Sequence, residues 1–177
     1  TFQWTSLTGS KLIPKLIEAG RGDPSLLESD IKKGMPSFSL VPAQKEFFKD
    51  TKVVDKDGNP LVLYHGSTSN KIEKFKTPSF FTPDEAVARG YVVVSGLDPW
   101  VNRNLIYPVY LNLKNPKTVY PYKNKGKPDL KLDLETIESG GYDGVIIDYK
   151  GHEEGYKDYL AFNSKQIKSV YNENPTS

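Results

Sequence analysis

The chain has 177 residues, 37% of them hydrophobic, enough for one core of ordinary size with or without a short appendage. Its formal charge of +2 comes from 24 basic and 22 acidic residues mixed along the length, which argues against a nucleic-acid footprint or an acidic tail. The absence of cysteine excludes disulfides, thiolate metal sites and a cysteine nucleophile, and two histidines, His65 and His152, argue against a zinc centre built from protein groups.

No apolar run reaches membrane-spanning length, and the first residues lack the apolar stretch of a signal peptide, so no membrane partner is expected. Residues 11–19 place Leu12, Ile13, Leu16 and Ile17 at helical spacing before Gly20. A second short helix starts at Asp23-Pro24-Ser25 and runs through Leu26, Leu27 and Ile31 to Gly34. Residues 1–45 read as a helical cap, or as a linker from a larger protein; residues 46–177 read as the main domain. The leucines and isoleucines of the first segment need burial, which favours the cap.

Residues 43–50 form a further short helix with Phe47 and Phe48 as its aromatic face. Val53-Val54 and Leu61-Val62-Leu63-Tyr64 flank an Asp57-Gly58 turn and read as a hairpin. The second strand of that hairpin delivers His65 at its mouth, followed by Gly66. A glycine lacks the Cβ that would hold a ligand off its backbone, so a group that bonds a backbone N–H and C=O beside an imidazole fits here. A strand-end histidine bonded within its own fold is the simpler alternative.

Ser79-Phe80-Phe81 is a brief strand. Thr82-Pro83-Asp84-Glu85 then carries the marks of a helix start, with Thr82 as cap and Pro83 in the first turn. That helix sets Val87 and Tyr91 on one face. Residues 104–113 alternate through Leu105, Tyr107, Val109, Leu111 and Leu113, a half-buried strand that Pro108 assigns to a sheet edge or a bulge. Residues 120–129 form an exposed loop, and 130–139 a helix that stops at Gly140-Gly141. Val145-Ile146-Ile147, residues 156–162 and residues 167–171 are three more strands, with His152, Glu153 and Glu154 in the loop between the first two. Strands outnumber helices and do not alternate with them, so the class is α+β with mostly antiparallel pairing.

Three of these stretches, taken in order, resemble the ADP-ribosyltransferase superfamily of the diphtheria-toxin and poly(ADP-ribose)-polymerase type. Tyr64-His65-Gly66-Ser67 stands against the family's His-Gly-Ser/Thr. Ser79-Phe80-Phe81-Thr82, with Tyr91 in the helix that follows, stands against a Tyr-Phe strand and a second tyrosine. Tyr156-Lys157-Asp158-Tyr159-Leu160-Ala161-Phe162, with Gln166-Ile167-Lys168-Ser169-Val170, stands against the strand of the catalytic glutamate and the strand after it. The look is that of the small transferase domains of phage polyvalent proteins, over residues 47–171. Two departures stand out: Phe80 lacks the hydroxyl of the family tyrosine, and Asp158 is one methylene shorter than the family glutamate.

The resemblance implies a split β-sandwich of two mostly antiparallel sheets with flanking helices, and NAD as substrate. It implies catalytic roles for Asp158, His65 and Tyr91, and NAD contacts from His65, Gly66, Ser67, Phe80, Phe81 and Tyr91, with no metal. Gly66 would hold the nicotinamide carboxamide through its backbone, Tyr91 would stack on the ring beside Phe80, and His65 would bond an adenosine-side ribose hydroxyl. Asp158 would accept from the nicotinamide-ribose 2′-hydroxyl and face the sugar cation. The implied activity is transfer of ADP-ribose to a protein acceptor in a host or bacterial cytoplasm, delivered with a virion in one version, by a monomer. The alternatives are an NAD glycohydrolase, and an NAD-binding module weakened at Asp158. Arg89 is a further candidate for a phosphate contact.

Overall fold

The computed structural model describes residues 40–97, 105–121, 132–150 and 156–176. The helices expected within residues 11–34 and the loop bearing His152, Glu153 and Glu154 lie outside them. Val41–Ser177 form one compact unit.

The unit is α+β, with two sheets, three α-helices and a short 3-10 turn (Ser164–Gln166) among the described residues. The three-stranded sheet has β1 (Leu63–Gly66) beside β3 (Ile106–Leu111), and β3 beside β7 (Ile167–Ser169), all antiparallel. The four-stranded sheet runs β2 (Ser79–Phe81), β6 (Lys157–Ala161), β5 (Gly144–Asp148), β4 (Pro116–Val119); only its β4–β5 pair is parallel. Helix α1 is Pro42–Phe48, α2 is Glu85–Val94 and α3 is Leu134–Ser139. Two mostly antiparallel sheets with flanking helices are the expected architecture.

The sheets pack face to face. Leu63, Val109, Leu111 and Ile167 from the first meet Phe81, Tyr159 and Ala161 from the second in a shared buried cluster. On its outer face the second sheet presents Val145, Ile147, Tyr149 and Leu160, covered by Leu134 and Ile137 of α3. The outer face of the first sheet carries α2. A Cβ on Gly66 would collide with the backbone carbonyl of Ala88, so glycine is what lets α2 lie this close.

One reciprocal backbone pair joins the sheets: Tyr64 N–H donates to Thr82 O at 2.8 Å, and Thr82 N–H to Tyr64 O at 3.1 Å. Past this seam β1 stays with β3 while β2 continues into the second sheet.

Several local expectations are corrected. His65 lies inside β1, paired with Tyr107, and not beyond the strand's end. The Asp57-Gly58 hairpin forms, with Gly58 at φ 82°, but its ladder is the short bridge of Val54 with Pro60. The α2 cap is Asp84, which accepts from Ala86 N–H at 2.8 Å, and Thr82 is drawn instead into the seam. Pro108 sits in a central strand. Its partner in β1, Tyr64, directs its backbone groups to Thr82; on the other side Val170 N–H donates to Pro108 O at 3.2 Å, and Val170 O, which would face the N–H that proline lacks, accepts from Gln44 Nε2 at 3.0 Å. Strand β4 starts at Pro116, where Asn115-Pro116 signals the end of a strand and nothing in the sequence announces another. Residues 122–131 lie outside the described residues, including the first two positions of the expected helix.

Candidate functional site

The seam organises the candidate site. In an antiparallel ladder the backbone groups of successive residues point to opposite edges. His65 bonds toward β3, as does Ser67, whose N–H reaches Leu105 O at 2.8 Å. Tyr64 and Gly66 therefore direct their N–H and C=O the other way, toward β2. Continuing the Tyr64–Thr82 register sets His65 opposite Phe81 and Gly66 opposite Phe80. The first pairing is seen in the rings, whose centroids are 5.3 Å apart. Gly66 thus offers a backbone donor and acceptor at the edge where the two sheets part.

Side chains alternate likewise. His65 points inward with Phe81, while Gly66, Phe80 and Thr82 belong to the outer side. The His65 imidazole meets Phe75 edge-on at 5.4 Å and Phe81 at 5.3 Å. Its Nδ1 lies 2.8 Å from Phe80 O. A carbonyl oxygen only accepts, so Nδ1 carries the proton. Burial holds the ring pKa below its ordinary value, opposed by that bond. The neutral ring then presents Nε2 as an acceptor.

Asp158 lies on the outer side. It pairs with Ile147 across β5–β6, and its Oδ2 accepts from the Tyr149 hydroxyl at 3.0 Å. The hydroxyls of Tyr156 and Thr82 also engage the carboxylate, and these two bond each other. Despite the donors, burial pushes the Asp158 carboxyl up to about 6, with Asp84 adding like-charge repulsion. Tyr91 comes from α2. Its phenol is pushed up by burial and then by the negative charge of Asp158, which puts the two residues in one electrostatic neighbourhood.

The expected residues are therefore divided by the seam. Tyr91, Asp158, Phe80 and the backbone of Gly66 belong to its outer side, and the His65 ring to the inner side. Phe81, expected at the ligand, is only 2% exposed and backs the His65 ring from within the core. The Ser67 hydroxyl accepts from Ser69 N–H at 3.1 Å in a tight turn, which leaves its proton for a further acceptor. Arg89 is ion-paired with Glu85 along α2, so its phosphate role has a competitor.

Sequence reasoning gave no role to Tyr149, Tyr156 or Thr82 at the acid. Strand register brings them together: Tyr149 N–H bonds Tyr156 O at 3.0 Å, which sets Tyr149 diagonal to Asp158 on one face. A cavity of about 480 Å³ lies elsewhere, among Phe47, Asn112, Tyr142, Asp143 and Gln166, and holds none of the residues of the seam.

No group of three or more His, Asp or Glu residues able to hold a metal occurs among the described residues, and none of their helices is long and apolar enough to cross a membrane. No curated protein matches the chain. The family model described as ADP-ribosyltransferase in polyvalent proteins matches residues 55–177, a span that contains the seam and every candidate residue on it. With the match covering well over half of its length, the chain belongs to the ADP-ribosyltransferases of polyvalent proteins.

Proposed function

We propose that the chain is an NAD-dependent mono-ADP-ribosyltransferase acting on a protein acceptor, encoded by a phage or bacterium and directed at host proteins. The observation that carries this reading is the partly buried Asp158 carboxylate, in electrostatic reach of Tyr91 and on the same side of the seam as the β2-facing backbone of Gly66.

Each group has a task. The Gly66 N–H donates to the nicotinamide carboxamide and its C=O accepts from it. Tyr91 stacks on the ring, with Phe80 lining the slot. From the inner side of the seam, His65 accepts through Nε2 from an adenosine-side ribose hydroxyl where the dinucleotide passes the edge, and Ser67 adds a hydroxyl. The C1′–N bond breaks with its electron pair going to nicotinamide, a neutral leaving group. Positive charge grows on C1′ and the ring oxygen, and the Asp158 carboxylate, bonded to the 2′-hydroxyl, stabilises it. The acceptor's nucleophile bonds C1′ and gives up a proton. NAD plus acceptor becomes nicotinamide, ADP-ribosyl acceptor and H⁺.

The test is incubation with NAD and quantitation of released nicotinamide, for the native protein and Asp158→Asn. Release that falls at least 100-fold in the variant supports the reading. No release by the native protein at pH 8, where Asp158 is ionised, overturns it. Labelled NAD with host lysate then separates transfer to a protein from hydrolysis.

A further inference from the structure

We propose that Tyr149 is a positioning residue for Asp158, and that with Tyr156 and Thr82 it forms a hydroxyl cradle that aims this short carboxylate into the site. The role of the acid rests on the transferase reading; the cradle does not.

An aspartate has one fewer torsion than a glutamate and reaches about one methylene less far. Its carboxylate position is therefore set by what grips it. Tyr149 is suited to grip it. It stands just past β5, 4% exposed, among Val145, Ile147 and Leu160. Its ring lies 5.7 Å from that of Tyr156. Packing so fixes the ring direction, and the diagonal register directs the phenol along the sheet face toward Asp158, where the hydroxyl meets Oδ2 at 3.0 Å. Tyr156 immediately precedes β6, two residues before Asp158, and so shares its face. Its hydroxyl bonds both the carboxylate and Thr82, tying the acid to the seam.

These bonds favour the charged form of the acid, and they oppose burial and Asp84, which disfavour it. Among the described residues, the groups around the carboxylate are Tyr149 after β5, Tyr156 just before β6, Tyr159 on β6, Thr82 and Asp84 before α2, and Tyr91 on α2. A buried phenol also needs a partner for its own sake, so satisfaction of Tyr149 alone is the competing account.

The test uses the full chain with Tyr149→Phe, which keeps the ring and removes the hydroxyl. Carbon-detected NMR of the side-chain carboxyls follows the Asp158 titration, assigned by its loss in Asp158→Asn. The proposal expects the titration to move up by about one pH unit. It also expects kcat for nicotinamide release to fall about 10-fold near pH 6.5 with KM for NAD within about 2-fold, and part of the loss to be regained at pH 8. In the Asp158→Asn background, Tyr149→Phe is expected to change residual release little, as required of a residue that acts through another. An unmoved titration overturns the proposal, whatever happens to kcat, because the effect would then come from packing. A moved titration with no nicotinamide released by either protein supports the cradle and removes the transferase reading instead.

Discussion

In the proposed reaction Asp158 works as the carboxylate, yet it is held in a place that favours the neutral acid. Its folded pKa of about 6 lies above the ordinary 3.8. The native state therefore binds more protons than the unfolded chain between these values, and stability falls as pH rises from about 4 to 6. Asp158→Asn removes this loss while keeping a polar partner for the tyrosines. The variant is expected to be more stable than the native protein at pH 7, by up to about 3 kcal/mol, with the difference vanishing below pH 4. Urea unfolding at the two pH values measures it. Nicotinamide release by the native protein is expected to rise with pH through a midpoint near 6, since the carboxylate is the working form. Gly66 is constrained from another side. Gly66→Ala would drive a methyl into the Ala88 carbonyl, which is helix backbone and cannot swing away. The variant is expected to lose about 1–3 kcal/mol or more in urea, and to bind NAD weakly because α2 carries Tyr91. His65, Gly66, Tyr91 and Asp158 stand out as candidates in the sequence because family spacing marks them. The cradle does not, because Tyr149 meets Asp158 through a register that nothing in the spacing of the two residues reveals.

At the level of elements, α2 couples stability to the site through its cap. Asp84 accepts from Ala86 N–H and adds its negative charge to the environment of Asp158. The two roles separate by substitution. Asp84→Asn keeps a good capping group and removes the charge, so the midpoint of nicotinamide release is expected to move to lower pH with the urea midpoint nearly unchanged. Asp84→Ala is expected to move the pH midpoint the same way and also to cost about 1 kcal/mol of stability. Equal pH profiles for Asp84→Asn and the native protein would show that the charge does not reach the acid. The sequence located α2 and misjudged its start. Thr82-Pro83 has the chemistry of a helix start, but Thr82 is taken by Tyr64 in the backbone and Tyr156 in the side chain, so the cap falls to Asp84. Strand β4, Pro-Lys-Thr-Val, carries little apolar signal because it is an edge strand, and its pairing partner β5 lies 25 or more residues away. Local propensity could not mark it; the parallel partner does.

The compact unit that starts at Val41 is a sandwich whose sheets meet at a seam, and its core extends beyond the span matched by the family. The match starts at residue 55, whereas the compact unit starts at Val41. The residues between are wired into the first sheet and the chain that flanks it. Gln44 Nε2 donates to Val170 O at 3.0 Å and Asn172 O at 2.9 Å, fastening α1 to the chain after β7. Phe48 packs on Tyr110 with ring centroids 5.5 Å apart, and Asn112 Nδ2 donates to Phe47 O at 3.0 Å. Thr51 Oγ1 donates to Leu111 O at 2.7 Å, and Lys52 N–H to Leu113 O at 2.7 Å. Cutting at residue 55 strips Tyr110 of a buried aromatic neighbour and leaves the carbonyls after β3 without these donors. Loss of a buried phenylalanine alone costs about 3–5 kcal/mol, and each orphaned buried carbonyl about 1–3, against a typical domain stability of 5–15. A chain of residues 41–177 is therefore expected to unfold cooperatively in urea with near-native circular dichroism, whereas residues 55–177 are expected to be largely unfolded or aggregated at the same temperature. Gln44→Ala in the full chain gives the graded version, an expected loss of about 1–3 kcal/mol with the seam residues untouched. If residues 55–177 instead unfold at the same urea concentration as residues 41–177, α1 is only an attachment and the stability of the sandwich lies wholly between its sheets.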